Sequence, residues 1–143
     1  MNRIKQFFFS TLEDRPIADF GLLILRVGAG LSMAFGHGLG KVPVSEGFIG
    51  GVEKMGFVMP AFFAWAAALS EFVGGIFIAL GFATRPSAVF LTITMLVAAF
   101  IRHAEDPFGR KEKAILFALI AIYLIFKGAG KYSLDELIYN RMM

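Results

Sequence analysis

Residues 60–80 read Pro60-Ala-Phe-Phe-Ala-Trp-Ala-Ala-Ala-Leu-Ser-Glu71-Phe-Val-Gly-Gly-Ile-Phe-Ile-Ala-Leu80, an apolar run interrupted by one carboxylate. Its length decides the fold. At 1.5 Å per residue, a helix over this run spans about 30 Å, the thickness of the hydrocarbon core of a bilayer. Pro60 stands at its head, where a missing N–H costs nothing. Three more apolar runs follow the same plan behind Pro16, Pro86 and Pro107. Together they predict an all-α, membrane-embedded antiparallel four-helix bundle with helices over about 16–36, 60–81, 86–103 and 107–127.

The composition agrees. The chain of 143 residues is 57% hydrophobic and only 17% charged, and the charges gather between the apolar runs. No domain boundary, internal repeat or low-complexity tract interrupts residues 1–143, which are read as one transmembrane domain. The net charge of +3 comes from basic residues placed singly or in pairs beside apolar segments. That is the pattern of interfacial anchors, so no nucleic-acid partner is expected. Cysteine is absent, which excludes disulfides, thiolate metal sites and thiol relays. The basic-then-aromatic stretch Met1 to Ser10 is too short for a signal-peptide core and reads as an interfacial anchor.

The connections between the second and third and the third and fourth runs are short, which makes those helices antiparallel neighbours. The connection from Gly38 to Met59 is long, and in it Ser45 can cap a short helix carrying Phe48, Val52 and Met55, expected to lie flat on the membrane. Beyond Gly128 and Gly130, Ser133 with Asp135 and Glu136 opens a second short amphipathic helix. Both termini then fall on one side with Arg3, Lys5, Arg15, Arg85, Lys127, Lys131 and Arg141, against Lys41, Lys54, Arg102, Arg110, Lys111 and Lys113 on the other. The flanks of the first helix favour cytoplasmic termini.

Two charges lie at the middle of spans: Arg26 and Glu71. Each alone costs at least about 2.5 kcal/mol at the bilayer centre, so an ion pair between them is the expected solution. Gly28, Ser32, Gly36 and Gly40 on the first run, and the alanines and Gly74-Gly75 on the second, suit close helix packing; the same glycines could equally serve a homo-oligomer. His37 shares a helix face with Arg26, and His103 ends the third helix at the same side of the membrane. With Arg102, Glu105, Asp106, Glu112 and Lys113 they outline a polar vestibule leading toward the Arg26–Glu71 pair. Candidate catalytic residues are therefore Glu71, His37 and His103, and candidate ligand contacts are Arg26, Glu71, His37, Arg102 and His103. A metal site is not expected, because Glu71 would lie about 16 Å from His37 along the axis. Trp65, Tyr123 and Tyr132 are candidates for stacking on a quinone ring, although Trp65 and Tyr132 also suit the interfacial aromatic belt.

Leu-Arg26-Val-Gly-Ala-Gly with His37-Gly38 and Lys41, Glu71-Phe-Val-Gly-Gly, Leu80-Gly-Phe-Ala-Thr84-Arg85-Pro-Ser-Ala, His103 and Gly130-Lys-Tyr-Ser-Leu-Asp135 together resemble the DoxX family. The resemblance implies a prokaryotic, multi-pass protein of the cytoplasmic (inner) membrane. Its family is named after a subunit of an archaeal thiosulfate:quinone oxidoreductase, with relatives linked to oxidative-stress defence. It also implies some likeness to the membrane bundle of vitamin K epoxide reductases, whose cysteine pairs this chain lacks. Three readings then stand side by side. The first is a membrane component of a quinone-linked oxidoreductase system, with a quinone or small anion in the vestibule and a soluble or membrane redox partner protein. The second is a non-catalytic scaffold for such a partner. The third is a small transporter or lipid-binding protein.

Overall fold

The computed structural model describes residues 16–143. The expected anchor over Met1 to Ser10, with Arg3, Lys5 and Arg15, lies outside the described residues. Six α-helices follow in order: α1 (Pro16–Met33), α2 (Glu46–Lys54), α3 (Pro60–Leu80), α4 (Thr84–Val97), α5 (Phe108–Lys127) and α6 (Leu134–Met142). α1 runs on through a wider π-helical turn, Ala34–Gly38, and a tight 3₁₀ turn, Leu39–Lys41; α4 runs on through a π-helical turn, Ala98–Arg102. No strand occurs among the described residues.

Three segments are long and apolar enough to cross a membrane: Pro16–Lys41, Pro60–Leu80 and Thr84–Arg102. α5 is 20 residues long but opens on Arg110, Lys111, Glu112 and Lys113, which lowers its hydropathy below that of the other three. The helix ends otherwise follow the prolines, with one shift. Pro86 stands inside the first turn of α4, because that helix begins at Thr84.

Neighbours in the chain are neighbours in space. α1 packs antiparallel on α3, α3 on α4, and α4 on α5, while the backbones of α1 and α5 stay apart. Small residues set the α1–α3 distance: a Cβ on Gly30 would strike the carbonyl of Gly75 at 2.5 Å, and one on Gly75 the amide of Ala34 at 2.8 Å. Backbone-to-backbone contact of this kind is how helices associate where lipid removes the hydrophobic drive. Leu22, Met33, Ile78, Leu91, Met95 and Leu124 fill the space between the four long helices. Their outer faces carry Phe20, Phe62, Phe90, Phe100 and Leu119, all more than half exposed. An apolar surface around a small apolar core is the arrangement that lipid, not water, would stabilise.

Ser45 caps α2, its Oγ accepting from the amide of Phe48 at 3.2 Å. α2 folds back onto α3 and buries Val52. Ser133 caps α6, accepting from Glu136 at 3.1 Å.

Candidate functional site

In an α-helix every Cα–Cβ bond tilts toward the N-terminus. Two residues at equal depth on antiparallel helices therefore send their side chains in opposite directions. Arg26 and Glu71 do so, and the expected ion pair between them is not formed.

The Arg26 side chain runs toward the start of α1, which is the end of α3. Its Nη1 donates to the carbonyls of Ile78 (3.1 Å) and Ala79 (3.2 Å), and its Nη2 donates to the carbonyl of Tyr132 (2.6 Å). The guanidinium thus occupies the C-terminal pole of α3, where unpaired carbonyls and the helix dipole favour a cation. Gly81 makes room for it. That residue ends α3 with φ +68°, and a Cβ there would collide with Nη1. On the same side the Asp135 carboxylate accepts from the amides of Ala83 (2.7 Å) and Thr84 (3.0 Å), capping α4 and holding Ala83 at its strained φ of +44°. Arg26, Gly81, Thr84 and Asp135 therefore form a structural knot that joins the first, third and fourth helices to the C-terminal segment. Arg26 is 1% exposed and does not line the chamber over Glu71.

Glu71 points the other way, toward the start of α3, and there it meets Lys41 at the end of the 3₁₀ turn. Lys41 Nζ lies 2.6 Å from both carboxylate oxygens. Glu71 is 2% exposed and Lys41 about one-third. Gly38 lets the two helices approach, since a Cβ there would press on the backbone of Phe72. The ammonium also stands 5.6 Å from the centre of the Phe48 ring, within reach of a cation–π attraction.

Over this pair opens a cavity of about 520 Å³. α2 roofs it with Phe48, Val52 and Met55; Phe57, Phe63 and Ala67 form one wall, and Ile93, Thr94 and Val97 the other. Arg102 and His103 stand at its rim. A wider outer space of about 740 Å³ shares Gly47, Gly51, Met55 and Arg102 with it and leads outward past Lys54. This is a polar approach to a largely apolar chamber with one buried ion pair, the composition of small-molecule sites. Thr94 adds a hydroxyl to the lining, 2.7 Å from that of Ser70, and each also lies within bonding distance of a carbonyl of its own helix, Phe90 and Ala67. Two hydroxyl protons cannot fill three bonds at once, so this pair can shift toward donating or accepting.

At the rim His103 Nδ1 is 2.6 Å from Asp106 Oδ2, and Arg110 stands 3.5 Å from Asp106 Oδ1. The histidine hydrogen bond, helped by Arg110 and Arg102, holds the Asp106 carboxyl below the usual aspartate range. Glu105 and Glu112 are exposed.

Of the expected site residues, Glu71, Arg102 and His103 come together around one chamber. Arg26 and His37 do not join them. His37 turns to α5, its ring edge-on to Phe117 at 5.7 Å, so the two histidines share no mouth. Trp65, Tyr123 and Tyr132 are also outside the chamber, whose aromatic walls are Phe48, Phe57 and Phe63. Among the described residues no group of three His, Cys, Asp or Glu side chains could hold a metal ion. Two partners are not visible in the sequence pattern. Lys41 falls in the loop beyond the membrane by hydropathy, yet its four-carbon stem lets it reach inward from a helix end. Asp135 has the position of a helix-start residue for α6, whereas it caps α4.

The family model described as DoxX matches residues 21–104, which include Arg26, Lys41, Glu71 and His103. A Bacillus subtilis (strain 168) protein named "Putative oxidoreductase CatD" is 33% identical over 123 residues, 85% of this chain and 90% of that protein. The "Inner membrane protein YqjF" of Escherichia coli (strain K12) is 30% identical over 131 residues, 89% of this chain and 98% of that protein. No solved structure matches the chain significantly.

Proposed function

The chain belongs to the DoxX family of membrane proteins, and from that premise we propose that it is a four-span component of a quinone-linked oxidoreductase system in the prokaryotic inner membrane. All four long helices, α5 included, cross the bilayer, with both termini cytoplasmic. The chamber roofed by α2 binds a quinone-like ring, and a redox partner protein supplies the electrons. The names of the Bacillus subtilis and Escherichia coli relatives support the redox and membrane parts of this reading.

One observation carries it: a carboxylate that is 2% exposed, held by a lysine at the base of an aromatic-walled chamber. The residues fit such a ring. Phe48, Phe57 and Phe63 offer faces for stacking, and Lys41 Nζ, Arg102 and His103 offer donors to carbonyl oxygens. When bound, a quinone supplies two-electron chemistry that consumes two protons. With such a ring bound, Lys41 Nζ would donate a hydrogen bond to one ring oxygen and loosen its hold on Glu71. The buried Glu71 carboxylate, left without its counter-ion, would be placed to relay a proton at its Oε atoms. His103, oriented through Nδ1 by Asp106, exchanges protons with water at the rim. Arg26 takes no part.

The test is binding of a short-chain quinone to the purified protein in detergent. Glu71→Gln and Val52→Phe, the second filling the roof, should each weaken binding at least about tenfold, roughly 1.4 kcal/mol. His37→Ala should leave it unchanged. If both chamber variants bind quinone like the parent, the chamber is not a quinone site. Stable co-purification of a redox enzyme would then favour the scaffold role.

A further inference from the structure

A second cavity lies on the opposite side of α1. Because α1 packs on α3 and α5 on α4, while the α1 and α5 backbones stay apart, an outward-facing cleft of about 430 Å³ runs between them. Its floor is Gly28 and Ala29, and its walls are Ile24, Leu116 and Phe117. Gly28 faces open space, with no atom within 4 Å of where a Cβ would stand. Lys113 closes one end.

We propose that this cleft binds an acyl chain of one anionic phospholipid, whose phosphate is held by Lys113. A helix from a second copy is the other natural occupant, since Gly28 and Ser32 are small residues of the kind that let helices touch. Charge selects the lipid. Of the three cations at the start of α5, Arg110 is paired with Asp106 and Lys111 donates to the carbonyl of Ala104 at 2.9 Å. Lys113 has neither an ion pair nor a hydrogen bond among the described residues. Glu112 is one position away, about 100° round the helix, and does not line the cleft. Lys113 lies in the second turn of α5, a depth from which its stem carries the ammonium up to the phosphate level. His37, whose ring rests on the cleft wall residue Phe117, sets a second nitrogen at that end. This site shares no residue with the chamber over Glu71, so the two proposals stand or fall separately.

The experiment uses the full chain in nanodiscs containing equal amounts of phosphatidylglycerol and phosphatidylcholine, one or the other bearing a photoactivatable group on its acyl chain. Labelled peptides are then mapped by mass spectrometry. Label should concentrate on α1 and α5 around Gly28 and Leu116, and phosphatidylglycerol should exceed phosphatidylcholine about fivefold, the worth of one lysine near an anionic phosphate. Lys113→Ala, at an exposed position that folding does not need, should reduce that ratio to about one while leaving the label in the cleft. Gly28→Leu should expel label of both kinds. Label spread evenly over all lipid-facing helices, an unchanged lipid ratio in Lys113→Ala, or crosslinks to a second copy at Gly28 would each overturn the proposal.

Discussion

Lys41 and Glu71 are 30 positions apart in the chain, and the lysine ammonium lies 2.6 Å from both oxygens of the carboxylate. The pair joins the end of α1 to the middle of α3 and forms the base of the chamber. Breaking a buried pair by removing one partner strands the other charge, a loss of about 3–5 kcal/mol when both are fully buried. Lys41 is one-third exposed, so the loss here should be smaller. Lys41→Ala should lower stability by about 1–3 kcal/mol, and Lys41→Ala with Glu71→Gln should recover most of that. Denaturant unfolding in detergent compares the two; equal stability of the single and double variants would mean that the charges are not coupled.

Arg26 satisfies three carbonyls from two segments with two separate nitrogens of one plane, a spread that the single ammonium of a lysine does not reproduce. Arg26→Lys should therefore destabilise the protein by about 1–3 kcal/mol per hydrogen bond lost. It should also raise amide exchange across residues 130–142. Quinone affinity should not change, because the guanidinium sits about 11 Å along α3 from Glu71. Hydrogen exchange and ligand binding on the same sample separate the structural role from a ligand role.

Gly81→Ala forces a Cβ at φ +68° into the Arg26 guanidinium. The strained backbone alone costs about 1 kcal/mol, and the displaced guanidinium adds to it. Gly38→Ala acts at the other end by pressing on the backbone of Phe72. It should part α1 from α3 and weaken binding in the chamber, whereas Gly81→Ala should leave binding intact. Melting temperature and quinone titration of the two variants check the contrast.

Asp106 should titrate below the ordinary aspartate value of 3.8, because His103 hydrogen-bonds its carboxylate and Arg110 and Arg102 add positive charge. Its folded pKa is depressed, so whatever stability the contact contributes is fully present above that value and lost as pH falls through the folded pKa. Carboxyl-carbon NMR of labelled aspartate should show the low titration in the parent and its return toward 3.8 in His103→Ala.

Single cysteines read out membrane sidedness without background, since the chain has none of its own. Ser45→Cys and Glu105→Cys should react with an impermeant maleimide from one face, and Arg85→Cys and Arg141→Cys from the other. Arg141→Cys reacting from the Glu105→Cys face would remove α5 from the set of spans, and Arg85→Cys reacting from that face would remove α3 and α4.

The sequence by itself determined the long helices, the caps of the two short helices at Ser45 and Ser133, and the presence of two charges within apolar runs, because each depends on residues close together in the chain. Helix length, the hydropathy of a run and a hydroxyl placed three residues before an amide are local properties. Glu71, Arg102 and His103 were also legible as chamber residues, since depth along a helix follows from counting. The partner of each charge was decided only by the tertiary structure. Side chains at equal depth on antiparallel helices lean apart, so Arg26 and Glu71 diverge to opposite ends of α3. The position of α2 over the chamber, the turning of His37 toward Phe117 and the reach of Asp135 to another helix likewise depend on helix rotation and stagger. Those are set by Gly30, Gly38 and Gly75 letting backbones touch, a packing result that no spacing within a single helix encodes.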